Sequence, residues 1–189
     1  MIDYFKLKDS LKKLLPKERF DHSERVVVCA EELGRHYQLD PEKVRLAALL
    51  HDCSRYLDRP GMLKLAEDLG LKIDPVERLE PKLLHARLSA EIARRDFKIS
   101  DPEVLAAIAQ HTVGAENMTL LSKIIYLADH MEEDRDFMGV SKVRELAYSN
   151  PDRAIFESVS AMVRHLLDLS LPIFEGTIRT RNYYLTHAT

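Results

Sequence analysis

The stretch Lys43-Val44-Arg45-Leu46-Ala47-Ala48-Leu49-Leu50-His51-Asp52-Cys53 restricts the fold more than any other. It carries an apolar helix straight into an imidazole and a carboxylate with no polar spacer. At helical spacing Val44, Ala47, Ala48 and His51 share one face, so the face that enters the core ends in a histidine with an acid beside it. A buried carboxylate without a partner costs several kcal/mol, so a fold must pair it, neutralise it or give it a metal. Any architecture for this chain therefore has to bring further polar side chains to this point.

The rest of the chain reads as helices. Tyr4 to Leu15 carries an apolar stripe and stops at Pro16. The next helix, about residues 17–38, places His22, Val26, Cys29, Ala30, Leu33 and Tyr37 on one face. Asp40-Pro41, Asp74-Pro75, Asp101-Pro102 and Asn150-Pro151 each read as a helix start, with a capping side chain followed by proline at the first position. Gly70 closes a short helix over residues 62–69. After Pro81, His85 lies in register with Leu88, Ser89 and Ile92, and His111 continues the stripe of Val104 and Ile108. Asp129 lies in line with Ser122 and Ile125 on a helix over about residues 117–131, and further helices follow over 141–149 and from Pro151. The tail from Leu171 to Thr177 is expected to be irregular and to wrap the body. Sustained strand alternation, internal repeats and linkers are absent from the pattern. The expectation is one all-α domain over residues 1–189, a helical bundle with a metal centre in its core, then a C-terminal helix and tail over 141–189.

His22, His51, Asp52, His85, His111 and Asp129 thus come from core-facing stripes or their edges on five helices. Taken singly, each has an ordinary reading: a core histidine bonded to a carbonyl, or an aspartate capping a helix. Together those readings compete badly, because every unpaired buried group costs about 1–3 kcal/mol against a total stability of about 5–15 kcal/mol. One metal centre satisfies all six, and mixed imidazole and carboxylate donors suit iron, manganese or zinc. The net charge of −3 gives no electrostatic case for nucleic acid or an acidic membrane. No run approaches the roughly 18 apolar residues of a membrane span. The start, Met1-Ile2-Asp3-Tyr4-Phe5-Lys6, lacks the pattern of a signal peptide, and Cys29 and Cys53 form no Cys-x-x-Cys pair. From these features a cytoplasmic protein is expected. Cys53 reads as packing, His130 as solvent-facing, and His36, His165 and His187 as surface or tail residues. The run Glu132-Glu133-Asp134-Arg135-Asp136 reads as a solvated loop apart from Arg135.

The order His, His-Asp, His, His, Asp over roughly residues 18–135 resembles the HD-domain metal-dependent phosphohydrolases. His22-Ser23-Glu24-Arg25-Val26, Leu84-His85-Ala86, Gln110-His111-Thr112-Val113-Gly114, Tyr126-Leu127-Ala128-Asp129 and Arg135-Asp136-Phe137 are similar to segments of the bacterial YqeK family. Members of that family cut diadenosine tetraphosphate symmetrically into two ADP.

The resemblance implies that His22, His51, Asp52 and Asp129 hold an iron ion, with Asp52 able to bridge to a second. His85 and His111 complete that second site or contact phosphates. By the same resemblance metal-bound hydroxide attacks an inner phosphorus, with Asp52, His85, His111 and Arg135 as the catalytic set. Substrate contacts would come from His22, Arg25, His85, Ala86, Arg87, Leu88, His111, Thr112, Asp129, Arg135 and the tail residues Pro172, Ile173 and Phe174, where Phe174 stacks on a base or packs in the core. Arg87 and Glu133 stand where relatives carry proline. The implied partner is a dinucleoside polyphosphate or ADP; the sequence is silent on oligomeric state and leaves a homodimer open. Two alternatives remain open at the level of sequence: another nucleotide as substrate (a mononucleotide, a deoxynucleoside triphosphate or a cyclic dinucleotide), and a non-catalytic nucleotide-binding regulator.

Overall fold

Aspartate and proline set most of the helix starts, as their pairing in the sequence predicts. In the computed structural model, which describes residues 3–188, Asp40 accepts the Glu42 N–H (2.9 Å), Asp101 those of Glu103 and Val104, and Asn150 that of Arg153 (3.0 Å). Asp74 and Glu77 form a reciprocal capping box. The α-helices are α1 (Tyr4–Leu14), α2 (Lys17–His36), α3 (Pro41–Leu50), α4 (Arg59–Asp68), α5 (Pro75–Leu79), α6 (His85–Arg95), α7 (Pro102–Gln110), α8 (Leu120–Met131), α9 (Val140–Ala147), α10 (Pro151–Asp168) and α11 (Glu175–His187), with a 3₁₀ turn over Pro81–Leu84 before α6. No strand occurs among the described residues. The start at Met1-Ile2 and the final Thr189 lie outside them.

α2 packs on α3 and α8, α7 on α3, α6 and α8, and α10 on α8, α9 and α11. One buried apolar cluster runs through these elements from Leu7 to Tyr184, and a smaller one joins Met62 and Ala66 of α4 to Leu84 and Leu88. α2 and α3 meet at Gly34, where an added Cβ would lie 2.9 Å from a Val44 methyl. That close approach brings the His22 helix against the helix that ends in His51.

The C-terminal tail corrects one expectation. Leu171 to Phe174 are irregular, but Glu175 begins a helix of 13 residues. α11 has little apolar patterning of its own, and tertiary contacts hold it. Tyr184 is fully buried, its hydroxyl accepts the Met118 N–H (3.2 Å), and Thr180 packs against Gly114. Gly114 has φ +70°, and a Cβ there would meet a Thr180 methyl at 2.6 Å. Among the described residues no helix is long and apolar enough to cross a membrane.

Candidate metal centre

The six residues expected to converge do so, and they stand at helix ends more than mid-face. His51 follows the last residue of α3, Asp52 starts the turn beyond it, His85 opens α6 and His111 follows α7. His22 lies in the second turn of α2 and Asp129 near the end of α8. The helix ends have a chemical consequence. His51 Nδ1 donates to the Ala48 carbonyl (2.7 Å), His111 Nδ1 to the Ile108 carbonyl (2.7 Å), and His85 Nδ1 to the Lys82 carbonyl, each three residues back. His22 Nδ1 faces Glu132 Oε1 at 3.2 Å. Each of the four rings thus gives its Nδ1–H to an acceptor on the outside and presents a bare Nε2 to the centre, the tautomer that a metal ligand requires.

The inward nitrogens crowd together. His22 Nε2 lies 3.3 Å from His51 Nε2, and His85 Nε2 lies 3.0 Å from His111 Nε2. Asp129 Oδ1 sits 3.0 Å from His22 Nε2 and 4.0 Å from His51 Nε2. Asp52 stands between the two halves, with Oδ2 toward His51 (3.9 Å) and Oδ1 toward His85 (3.2 Å) and His111 (3.7 Å). His22, His51 and Asp129 form one set able to hold an ion, and His51, Asp52 and His111 another. Asp52 Oδ1 is buried without a hydrogen bond. Lone pairs facing lone pairs across about 3 Å, beside an unbonded buried carboxylate oxygen, suit a cation between them better than a self-contained polar network. The donor set fits a divalent metal.

The electrostatics agree. Burial holds His51 and His85 down at about 4, so both rings are neutral at physiological pH. Burial alone would raise Asp52, yet His51, His111 and His85 together pull it below the usual carboxylate range. Asp129 is likewise lowered against its burial, chiefly by His22 and then His130. At His111 burial is outweighed by Asp52 and Asp129, and its basicity rises.

The centre opens into a cleft of about 820 Å³. Arg135 donates to the Asp129 carbonyl (2.7 Å) and to its Oδ1 (2.6 Å) and lines the cleft. Thr112 Oγ1 lies 2.9 Å from His85 Nε2 and 3.0 Å from that of His111. Three further arginines, Arg19, Arg55 and Arg164, line the same cleft and stand outside the expected site residues. Arg19 approaches Asp52 at 3.7 Å from the first turn of α2, and Arg55 at 3.9 Å from the turn after α3. Arg19 lies three residues before His22 and Arg55 four after His51, helical spacings that put both on the donors' side.

Other expected substrate contacts are engaged elsewhere. Arg25 binds Glu132 (2.8 Å) and Asp134 (3.0 Å) and faces a different hollow. Arg87 bridges Glu77 and the Lys72 carbonyl, while Ala86 and Leu88 are buried in packing. Pro172, Ile173 and Phe174 do not line the cleft, and Phe174 lies over Gly176.

Two readings of nearby residues are corrected. His130 is not solvent-facing: its ring stacks on Tyr126 at 4.1 Å, its Nδ1 donates to the Tyr126 carbonyl (2.7 Å), and it lines the cleft. Glu132 is not a loop charge but is 2% exposed, accepting from Arg25 and the Asp134 N–H and facing His22. Cys53 is buried with its thiol on the Ser89 carbonyl, and burial raises its pKa, so it is no nucleophile.

Residues 19–134 match the model of the HD domain. The symmetrical bis(5'-nucleosyl)-tetraphosphatase of Staphylococcus aureus is 35% identical over 95% of this chain and 93% of its own. That of Halalkalibacterium halodurans is 37% identical over 90% and 91%. The crystal structure of a predicted HD superfamily hydrolase involved in NAD metabolism from Clostridium acetobutylicum superposes with a TM-score of 0.94 at 33% identity, covering 99% of both chains. With the ordered donors meeting at one point and these likenesses spanning nearly the whole chain, the protein belongs to the HD domain family, among the relatives of the symmetrical bis(5'-nucleosyl)-tetraphosphatases.

Proposed function

We propose that this protein hydrolyses diadenosine tetraphosphate symmetrically to two ADP in the cytoplasm, with iron as its resident metal. The observation that carries the reading is the convergence of four bare Nε2 atoms and two carboxylates at the floor of an arginine-lined cleft. The names of the relatives in Staphylococcus aureus and Halalkalibacterium halodurans supply the substrate. His22, His51, Asp52 and Asp129 would hold one ion, and His85 and His111, facing Asp52, a second or the phosphates beside it. When bound, such an ion supplies a hydroxide source near neutral pH and Lewis acidity toward a phosphoryl oxygen.

The chain's own residues do the binding and orienting. Arg19, Arg55, Arg135 and Arg164 line one cleft, the charge suited to a polyphosphate. Burial disfavours the charge on Arg55, whose nearest carboxylate stands 3.9 Å away, so an incoming phosphate satisfies it. Asp52, buried and held ionised by the histidines, anchors the reacting end. The ADP that departs leaves as a stable anion, so charge stabilisation by the arginines matters more than protonation by a general acid. Thr112 Oγ1 stands 2.9 and 3.0 Å from the His85 and His111 Nε2 atoms and braces the two rings.

The test is to incubate protein purified without oxygen or chelators with diadenosine tetraphosphate and separate the products. ADP alone is expected, and AMP with ATP overturns symmetrical cleavage. Metal analysis of the same preparation decides iron, and Asp52→Asn should lower turnover at least a thousandfold.

A further inference from the structure

Arg144, on α9, spends its guanidinium on main-chain carbonyls. Its Nε donates to the Met131 carbonyl (2.9 Å) and its Nη2 to those of Glu132 (2.8 Å) and Arg135 (3.0 Å), with the Glu133 carbonyl at 3.4 Å. A helix leaves its last carbonyls without partners, and a cation placed there also meets the negative end of the helix dipole. One half-buried side chain thus ends α8 at Met131 and gathers the turn that follows. That turn has little of its own to hold it. Glu133 and Asp134 are exposed, and the main chain closes it with the Arg135 N–H on the Glu132 carbonyl (2.9 Å).

Two side chains leave the turn toward the centre from its opposite ends. Glu132 faces His22 Nδ1 at 3.2 Å, and Arg135 reaches Asp129 Oδ1 at 2.6 Å. Both aims depend on the backbone between them. A planar guanidinium fork can hold the Met131 and Arg135 carbonyls together, whereas an ammonium is a single point. We propose that Arg144 is a positioning residue for both halves of the site: by gripping the backbone from Met131 to Arg135 it aims Glu132 at the His22 ring and Arg135 into the cleft. Arg144 itself lines the hollow with Arg25 and Glu132 and not the cleft, so it acts through those two side chains. The proposal rests on the reading of the centre as a metal site and of the cleft as a polyphosphate site, and adds the residue that sets the turn they share. An arginine that only stabilised the fold would lower the melting midpoint and leave both affinities alone.

The test uses the full chain carrying Arg144→Ala, at a temperature where the variant is fully folded. Metal affinity is read by competition titration, and calorimetry follows inorganic tripolyphosphate binding to the metal-loaded protein. Both affinities are expected to fall about tenfold, as for other groups that orient a site from behind. Arg135→Ala alone should weaken tripolyphosphate binding about tenfold, and adding Arg144→Ala should cost less than twofold more, because the two changes act through one contact. Arg144→Ala with both affinities within twofold of the wild type overturns the proposal, whatever its melting midpoint. Losses that multiply in the double variant overturn it as well. Should Arg144→Ala fail to fold, Arg144→Lys decides in its place. It keeps the charge without the fork and should weaken tripolyphosphate binding about fivefold, and wild-type affinity for both metal and tripolyphosphate overturns the proposal. If the wild type yields AMP and ATP, the cleavage reading falls while these titrations still decide the role of Arg144.

Discussion

Glu132 shows how much of the centre's order comes from outside its donors. Its two oxygens face His22 Nδ1 (3.2 Å) and take N–H bonds from Arg25 (2.8 Å) and Asp134 (2.8 Å), so it fixes the His22 ring and the loop that carries Arg135. Groups that orient a metal-ligating histidine are typically worth 10–100-fold in affinity. Glu132→Gln keeps the volume but removes the charge, and should weaken metal binding by about that factor in a competition titration. Unchanged affinity would show that His22 needs no such support. Protons act at the same scale. His51 and His85 are held near 4 by burial, against an ordinary 6.5, so between those values the unfolded chain binds more protons than the folded one. Folding stability therefore falls as pH drops from about 6.5 toward 4. His111 is shifted the other way and offsets part of the loss, whereas the lowered Asp52 and Asp129 contribute only below about 3.8. The metal-free protein should accordingly melt about 10 °C lower at pH 4.5 than at pH 7. Equal midpoints in calorimetry would mean that these rings take up protons freely in the folded state.

Helix positions convert these residue properties into a site. Gly34 lets α2 lie against α3, and a side chain there meets Val44 at 2.9 Å. Overpacking of this kind costs about 1–3 kcal/mol. Gly34→Val should lower the melting midpoint by about 3–10 °C. It should also reduce the extra stability gained on adding metal, because prying α2 from α3 parts His22 from His51. A variant that melts lower yet gains as much from metal would uncouple the interface from the centre. The same elements show what a linear reading can reach. The helix starts at Asp40, Asp101 and Asn150 and the convergence of His22, His51, His85, His111 and Asp129 follow from caps and apolar stripes, which are local signals. Glu132 sits in a charge run that looks solvated along the chain and supports the centre only because α2 and α8 pack together. Arg19 and Arg55, at helical spacing from His22 and His51, are within reach of the same stripe argument. The helical state of Glu175 to His187 was hidden for a related reason. Its stability comes from Tyr184 and Thr180 meeting Met118 and Gly114, a contact some 66 residues apart in sequence.

At the scale of the molecule, the polar centre is a knot tied by elements far apart in the chain. α2, α3, α6, α7 and α8 each bring a donor to it. Without an ion, those helices hold imidazole lone pairs 3.0 and 3.3 Å apart and a carboxylate oxygen with no partner. An ion that binds the folded chain and not the unfolded one stabilises it by about 2.7 kcal/mol at a hundred times Kd and about 4.1 kcal/mol at a thousand times. At about 2–4 °C per kcal/mol for a chain of this size, chelation should lower the melting midpoint by roughly 5–15 °C, and readdition of metal should restore it in proportion to the logarithm of its concentration. The loss should be uneven. α4, packed through Met62 and Ala66 on Leu84 and Leu88, brings no donor, whereas the turn from Leu50 to Arg55 carries His51, Asp52 and Arg55. Hydrogen exchange after chelation should rise first in that turn and at the start of α6, and last at Met62 to Ala66. If the midpoint and the exchange pattern are the same with and without metal, the six side chains satisfy one another and the helices converge on a polar core rather than on an ion.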